Sequence, residues 1–98
     1  MGSMCVYCGV RGNIGHHPLM YAGRQIDEIT VLLCDYCHTG NNGTIWQDVR
    51  EFCEALSIKN NLDYLQKNYT KTNWNQRLKY LESYPQNKFD RSILKTYD

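Results

Sequence analysis

Long apolar runs are absent from this sequence, and so is a marked excess of charge of either sign. No stretch approaches the roughly 18 consecutive apolar residues of a membrane-spanning helix, so no membrane partner is predicted. The start has no basic segment followed by an apolar one, which predicts a protein without an export signal, located in the cytoplasm. The formal net charge is only +1, which neither indicates nor excludes a nucleic-acid partner.

Helix-breaking residues are scarce in the second half of the chain. There are only two prolines, Pro18 and Pro85, and no glycine follows Gly43. From residue 45 onward, apolar side chains recur at helical spacing. We expect a first helix from about residue 44, where Thr44 and Gln47 fit a capping box.

Three further apolar stripes predict the rest of the helical half. The second is capped by Ser57, and the third is opened by Thr72 and stopped before Pro85. A last short helix is expected around Phe89, Ile93, Leu94 and Tyr97. The predicted helical core comprises Trp46, Val49, Phe52, Leu56, Leu62, Leu65, Trp74, Leu78 and Leu81.

The first half is richer in glycine and predicts strands and turns instead. Residues 29–33 are β-branched and apolar, the composition of a buried strand, and they lead directly into Cys34. A shorter extended segment is expected around residues 14–20, with Pro18 at its edge or end. Residues 40–43 form a turn or loop.

Five cysteines in a reducing compartment favour metal binding over disulfides. Four of them form two C-x-x-C pairs, a spacing that lets a tight turn aim both sulfur atoms at one ion. Gly9 helps the first turn to close. The prediction is a structural zinc ion bound by Cys5, Cys8, Cys34 and Cys37.

Other interpretations of the cysteines remain open. They could be unrelated or redox-active thiols, and residues 34–38 also match the C-x-x-C-H pattern of covalent haem attachment. Haem attachment would need export and would leave the first pair without a role. The fifth cysteine, Cys53, lies on the apolar stripe of the first long helix and is expected to be a buried core thiol.

The three histidines, His16, His17 and His38, all lie within or beside the cysteine frame. A zinc ion that joins the two pairs would hold His38 near the segment carrying the other two. Adjacent strand residues point to opposite faces, so His16 and His17 should differ in role. The alternative is ordinary polar packing or support of the zinc-binding cysteines.

The order of C-x-x-C, His-His, an apolar strand and C-x-x-C-His resembles the HNH nucleases of the His-Me finger group. The similarity is greatest to their small zinc-ribbon members from phages and mobile elements, and it covers about residues 4–45. It implies a phage-encoded protein in a bacterial host, with a ββα-metal site beside the zinc.

The resemblance also implies roles for the histidines. His17 would be the general base that activates water, while His16 and His38 would bind a catalytic Mg²⁺ or Mn²⁺ ion. Arg24 could contact the scissile phosphate, or it could be an ordinary exposed arginine. The implied activity is that of a metal-dependent DNA endonuclease or nickase.

Two other functions are compatible with the sequence. The family's middle asparagine has no counterpart in residues 27–30, and Gly40 and Gly43 interrupt the helix after His38. These departures favour an inactive zinc-binding inhibitor or adaptor with a host protein or nucleic-acid partner. A DNA-reading protein could instead use a basic stripe of Lys67, Lys71, Arg77 and Lys79.

The predicted fold class is a small α+β protein. Residues 4–98 form one domain, in which a zinc-stapled ββα-metal (HNH-like) unit at 4–45 is followed by an extension of three or four helices at 46–98. Residues 1–3 are typical of an expression scar.

Overall fold

The computed structural model describes residues 4–83, and in this range four short strands and four helices follow one another. The strands are β1 Ile14–His16, β2 Met20–Tyr21, β3 Arg24–Gln25 and β4 Val31–Leu33. The helices are α1 Asp35–Thr39, α2 Gln47–Asn60, α3 Leu62–Asn68 and α4 Trp74–Glu82. The predicted α+β class is confirmed.

The first sheet joins the two segments predicted to be extended. Strand β1 pairs antiparallel with β4, and the register places Ile14 opposite Leu33 and His16 opposite Val31. A strand forms within the predicted residues 29–33, but it covers only Val31–Leu33, and the expected burial holds within it only for Leu33. Because β4 leads directly into α1, the second C-x-x-C pair lies at the end of this sheet.

A second hairpin, of β2 and β3, lies between the two strands of the first sheet in the sequence. Met20 pairs with Gln25 and Tyr21 with Arg24 across a two-residue turn. Both turn residues are left-handed, with φ of 52° at Ala22 and 81° at Gly23. Such a turn matches the right-handed twist of the strands, which offsets the unfavourable left-handed conformation of Ala22.

The predicted start of the first long helix was wrong. Helix α2 begins at Gln47, after Trp46, whose side chain makes no capping hydrogen bond. The Thr44 hydroxyl instead donates to the carbonyl of Asn41, at 2.7 Å, within the preceding turn. The Thr44 side chain is therefore used to close a turn.

The predicted cap at Ser57 was also wrong. Ser57 is buried inside α2, which continues to Asn60. At the start of α4 the prediction missed by one residue, because the cap is Asn73, whose side chain accepts from the backbone N–H of Gln76 at 3.1 Å. The predicted last helix at Phe89–Tyr97 lies outside the described residues. No helix within residues 4–83 is both long and apolar enough to cross a membrane.

The core consists of two clusters that share α2. Val49 and Cys53, on the first part of α2, pack against the cysteine group, whereas Ala55 and Ile58 pack against α3 and α4. The predicted core residues Val49, Leu65, Trp74 and Leu81 are buried. The others are only partly buried, namely Trp46, Phe52, Leu56, Leu62 and Leu78.

Three large buried side chains were not predicted to be in the helical core. Leu19 and Ile26 come from the β2–β3 hairpin, and Ile58 lies near the end of α2. Leu19 and Ile26 are 1% and 2% exposed, and the N–H of Ile26 donates to the carbonyl of Leu19 at 3.0 Å. The hairpin thus closes the second cluster and connects the histidine segment to the helices.

Candidate metal centre and histidine cluster

The four paired cysteines converge on one point. Their sulfur atoms all lie within 4.8 Å of one another, and all four residues are buried. A tetrahedral zinc site with bonds of about 2.3 Å has sulfur atoms roughly 3.8 Å apart, and the Sγ atoms of Cys8 and Cys34 are 3.6 Å apart. The group can therefore hold a metal ion and is compatible with structural zinc.

Backbone hydrogen bonds shape the first cysteine turn. The N–H of Cys5 donates to the carbonyl of Val10 at 2.7 Å, and the N–H of Gly9 donates to the carbonyl of Cys5 at 3.0 Å. Gly9 has φ of +83°, a left-handed conformation that glycine adopts without steric cost. The expectation that Gly9 helps this turn to close is confirmed.

The second cysteine turn is the start of α1. Cys34 is the N-cap, and its sulfur atom lies 3.5 Å from the backbone nitrogen of Cys37. The helix ends after five residues, as the glycines indicate. A Cβ added at Gly40 would lie 2.4 Å from the carbonyl oxygen of Tyr36. The residue that ends α1 therefore has no room for a side chain.

The thiols influence one another strongly. The hydrogen bond from Cys37 lowers the pKa of Cys5 to about 4, whereas burial is the main cause that raises the pKa of Cys8 to about 11. The same hydrogen bond with Cys5 raises the pKa of Cys37. Negative charge therefore resides first on Cys5, and a cation is needed to hold further thiolates in so small a volume.

Cys53 packs beside this centre without being one of the four. It is fully buried in the same cluster, as predicted for a core thiol. Burial raises its pKa to about 12. A thiol with such a pKa is inert at neutral pH.

The structure brings two of the three histidines together. The ring centroids of His16, at the end of β1, and His38, in α1, are 5.8 Å apart. Each ring has a buried nitrogen, Nε2 of His16 and Nδ1 of His38, without a hydrogen-bond partner among residues 4–83. Buried polar atoms normally have partners, so the pair has the features of a site for a cation.

The electrostatic environment keeps His16 neutral. Burial, followed by the positive charges of His38, His17 and Arg50, lowers the pKa of His16. A neutral imidazole is the form that binds metals.

The third histidine has different partners, as the alternation of strand residues indicated. Nδ1 of His17 lies 3.2 Å from the Thr30 hydroxyl oxygen and 3.4 Å from the carbonyl oxygen of Ile29. The Thr30 hydroxyl can donate to the carbonyl of Asp27, at 3.4 Å. Its oxygen is then free to accept from His17, which favours the tautomer with hydrogen on Nδ1 and a lone pair on Nε2.

The remaining cationic candidates lie elsewhere or are already paired. Arg24 is exposed on β3, outside the sheet that carries His16. Within the proposed basic stripe, Arg77 donates to both carboxylate oxygens of Glu54, at 2.7 and 2.9 Å. Sequence reasoning missed Arg50, which lies on the exposed side of α2 and acts electrostatically on His16.

Chemically, the arrangement combines a four-sulfur site, an adjacent pair of imidazoles and a third imidazole in a defined tautomer. Sequence reasoning also missed Thr30, because a hydroxyl residue in a strand-like segment carries no distinctive signal. The comparisons with known proteins found no matching family model, no matching curated protein and no matching solved structure.

Proposed function

We propose that the protein is a metal-dependent DNA endonuclease or nickase of the HNH type. The observation that carries this proposal is the pairing of His16 with His38, each with a buried nitrogen that has no hydrogen-bond partner within residues 4–83, beside a differently held His17. Metal-assisted hydrolysis of a phosphodiester needs a bound cation and a base that activates water, and two nitrogen ligands beside a third imidazole can supply both.

The roles follow from the hydrogen bonds. His16 and His38 would hold Mg²⁺ or Mn²⁺, which when bound would supply positive charge at the scissile phosphate and the departing oxygen. His17 removes a proton from the attacking water through Nε2, since the contacts of Nδ1 with the Ile29 carbonyl and the Thr30 hydroxyl favour the tautomer with hydrogen on Nδ1. A neutral imidazole is an effective general base near neutral pH.

The missing asparagine does not weaken this proposal. The stretch without asparagine, residues 27–30, supplies the Ile29 carbonyl and the Thr30 hydroxyl that accept from His17. These groups orient the base, so no amide side chain is needed there. The short α1 is also sufficient, because His38 lies in its last turn, before the interruption at Gly40.

Zinc has a structural role in this proposal. Cys37 and His38 are neighbours, so the ion that draws Cys34 and Cys37 to the first pair also positions His38 against β1. Binding of zinc to such a site contributes an apparent free energy of roughly 10 kcal/mol or more, which makes it part of folding.

The test combines cleavage with metal binding. Zinc-loaded protein is incubated with supercoiled plasmid and Mg²⁺ or Mn²⁺, and Mn²⁺ affinity is measured separately by calorimetry. We expect His17→Ala to lose nicking by about 100-fold or more while retaining Mn²⁺ affinity. His16→Ala and His38→Ala should lose both.

Added imidazole provides a further control, because it can replace a missing base. Partial recovery of nicking in His17→Ala, but not in His38→Ala, would support the assigned roles. Absence of nicking by the wild type, or equal nicking by His17→Ala, would contradict the proposal.

A second candidate function is that of an inactive adaptor or inhibitor. It is favoured by large apolar side chains on the surface, among them Met4, Met20 and Tyr80, which are 62%, 56% and 49% exposed. Aromatic residues and methionine are enriched at protein interfaces. Wild-type protein that neither nicks DNA nor binds Mn²⁺, but forms a stoichiometric complex with a host protein, would favour this candidate.

A further inference from the structure

A cavity of about 430 Å³ opens next to the histidine segment. One wall is formed by Pro18 and Met20, which directly follow the two adjacent histidines. The opposite wall comes from α2 and α4 and includes Arg50, Glu54 and Arg77. Its volume is in the range of ligand sites, and its position makes it continuous with the segment that carries the proposed base.

The charges in this cavity are not balanced. Glu54 lies one helical turn after Arg50 in α2, a spacing at which the two side chains could pair. Arg77 occupies Glu54 instead, with Nε donating to Oε2 at 2.7 Å and Nη2 donating to Oε1 at 2.9 Å. Among residues 4–83, Arg50 has no ion-pair partner.

Within residues 4–83, Arg50 is therefore an exposed cation without a paired carboxylate, and it lines the same cavity as Pro18, which directly follows His17. Its charge acts on His16, which belongs to the proposed metal-binding pair. A guanidinium presents donors in a planar fork that matches two phosphate oxygens. On Arg77 the Nε–Nη2 edge already donates to Glu54, and that carboxylate offsets its charge.

We propose that Arg50 binds a backbone phosphate of the DNA strand next to the scissile phosphate, and that this strand runs through the cavity between Pro18 and Arg77. The inference rests on the proposed function and deepens it. It assigns the phosphate contact to Arg50 on α2 and removes Arg24 from that role.

The exposed Met20 can contact the same DNA strand. Pro18 and Met20 add apolar atoms to the lining that also contains the two arginines, so a sugar can pack against them while its phosphate meets Arg50. Such contacts fix the register of the strand without reading its sequence. The inference therefore predicts binding with little sequence preference.

The test measures binding independently of cleavage. Fluorescent single-stranded and duplex oligonucleotides are titrated with full-length protein, without added Mg²⁺ or Mn²⁺, at several salt concentrations. We expect Arg50→Gln to weaken binding about 10-fold and to reduce the salt dependence by about one phosphate contact. The matched variant Arg24→Gln should bind like the wild type.

A second variant shifts the affinity in the opposite direction. Glu54→Gln removes the carboxylate that neutralises Arg77, so DNA binding should become tighter. Metal content and circular dichroism of each variant establish that the fold is retained.

Equal affinity of Arg50→Gln and wild type, or an equal loss in Arg24→Gln, would overturn the inference even if the protein cleaves DNA. Conversely, binding that depends on Arg50 in a protein that never cleaves would sustain the inference and overturn the proposed function. Absence of any DNA binding by the wild type would overturn both.

Discussion

Nδ1 of His17, directly after β1, lies 3.2 Å from Oγ1 of Thr30, in the segment that joins the second hairpin to β4. Thr30 has a further contact of 3.4 Å to the carbonyl of Asp27, so it can act as donor and acceptor at once. This relationship defines which nitrogen of His17 carries hydrogen. It makes Thr30 a positioning residue, and it can be tested.

Thr30→Val keeps the shape of the side chain but removes the hydroxyl. We expect nicking to slow by about 10-fold, because the His17 ring is then held only by the Ile29 carbonyl. Mn²⁺ affinity should stay unchanged, and Thr30→Ser should restore most of the rate. The exposed Thr70 offers a matched control, Thr70→Val, and an equal loss in that variant would contradict a role for Thr30.

The cysteine group predicts one bound zinc ion per chain. Cys37→Ser removes a buried ligand, and we expect loss of zinc by elemental analysis together with loss of the cooperative thermal transition. Cys53→Ala, the matched control in the same cluster, should retain zinc and cost about 1 kcal/mol. Freshly prepared, reduced wild-type protein that contains no metal would contradict the assignment.

An exposed cluster around Glu28 predicts a dependence of stability on pH. Hydrogen bonds from the Tyr69 and Tyr64 hydroxyls lower the pKa of Glu28. The ionised Glu28 carboxylate therefore stabilises the folded protein at pH values above the pKa that it has in the unfolded chain. This contribution is lost as the pH falls through its lower pKa in the folded protein. The hydrogen bond with Glu28 raises the pKa of Tyr69 to about 12, so the stability from Tyr69 is present below about pH 10 and lost as the pH rises through about 12.

The measurement is the Tm of Glu28→Gln against wild type across pH. We expect a lower Tm for the variant at neutral pH, and a difference that shrinks towards both the acid and the alkaline end. Glu82→Gln, at an exposed position of α4, serves as a control. A Tm difference that does not vary with pH would show that the cluster does not titrate in this way.

The turn of the second hairpin predicts a stabilising substitution. Ala22 has φ of 52°, a left-handed conformation that costs an L-residue with a Cβ about 1 kcal/mol or more. Asparagine tolerates this conformation and is favoured at this turn position. We expect Ala22→Asn to raise the free energy of unfolding by about 0.5–1 kcal/mol.

Chemical denaturation measures this change, and Ala22→Val gives a comparison of opposite sign, because β-branched residues fit left-handed turns poorly. If Ala22→Asn were less stable than the wild type, the turn would not have the geometry described here.

The four cysteines of the candidate metal site could be predicted from the sequence because their geometry is local. In each pair, two intervening residues bring both cysteines to one side of a turn, and the Gly9 turn and the α1 start confirm this arrangement. The strand before Cys34 was predicted equally well from its β-branched composition. Helix boundaries were less predictable, since Thr44 and Ser57 fit capping patterns whose side chains the fold uses otherwise.

The catalytic proposal depends on contacts between distant segments. That His16 and His38 would approach could be expected from the cysteine frame, but their unpartnered nitrogens could not. The partner of His17 lies in a segment without any recognisable motif, and the free charge of Arg50 depends on Arg77 in another helix. No short sequence pattern shows that Arg77, and not Arg50, pairs with the carboxylate of Glu54.

By itself, the sequence determined the α+β class, the four converging cysteines and the helical character of the second half, because these follow from spacing, composition and periodicity within short stretches. Only the tertiary structure decided which imidazole nitrogens lack a partner within residues 4–83, which hydroxyl contacts His17 and which of the two cavity arginines pairs with Glu54. Those properties depend on which groups come within hydrogen-bonding or ion-pairing distance of one another when β1, β4, α2 and α4 pack together.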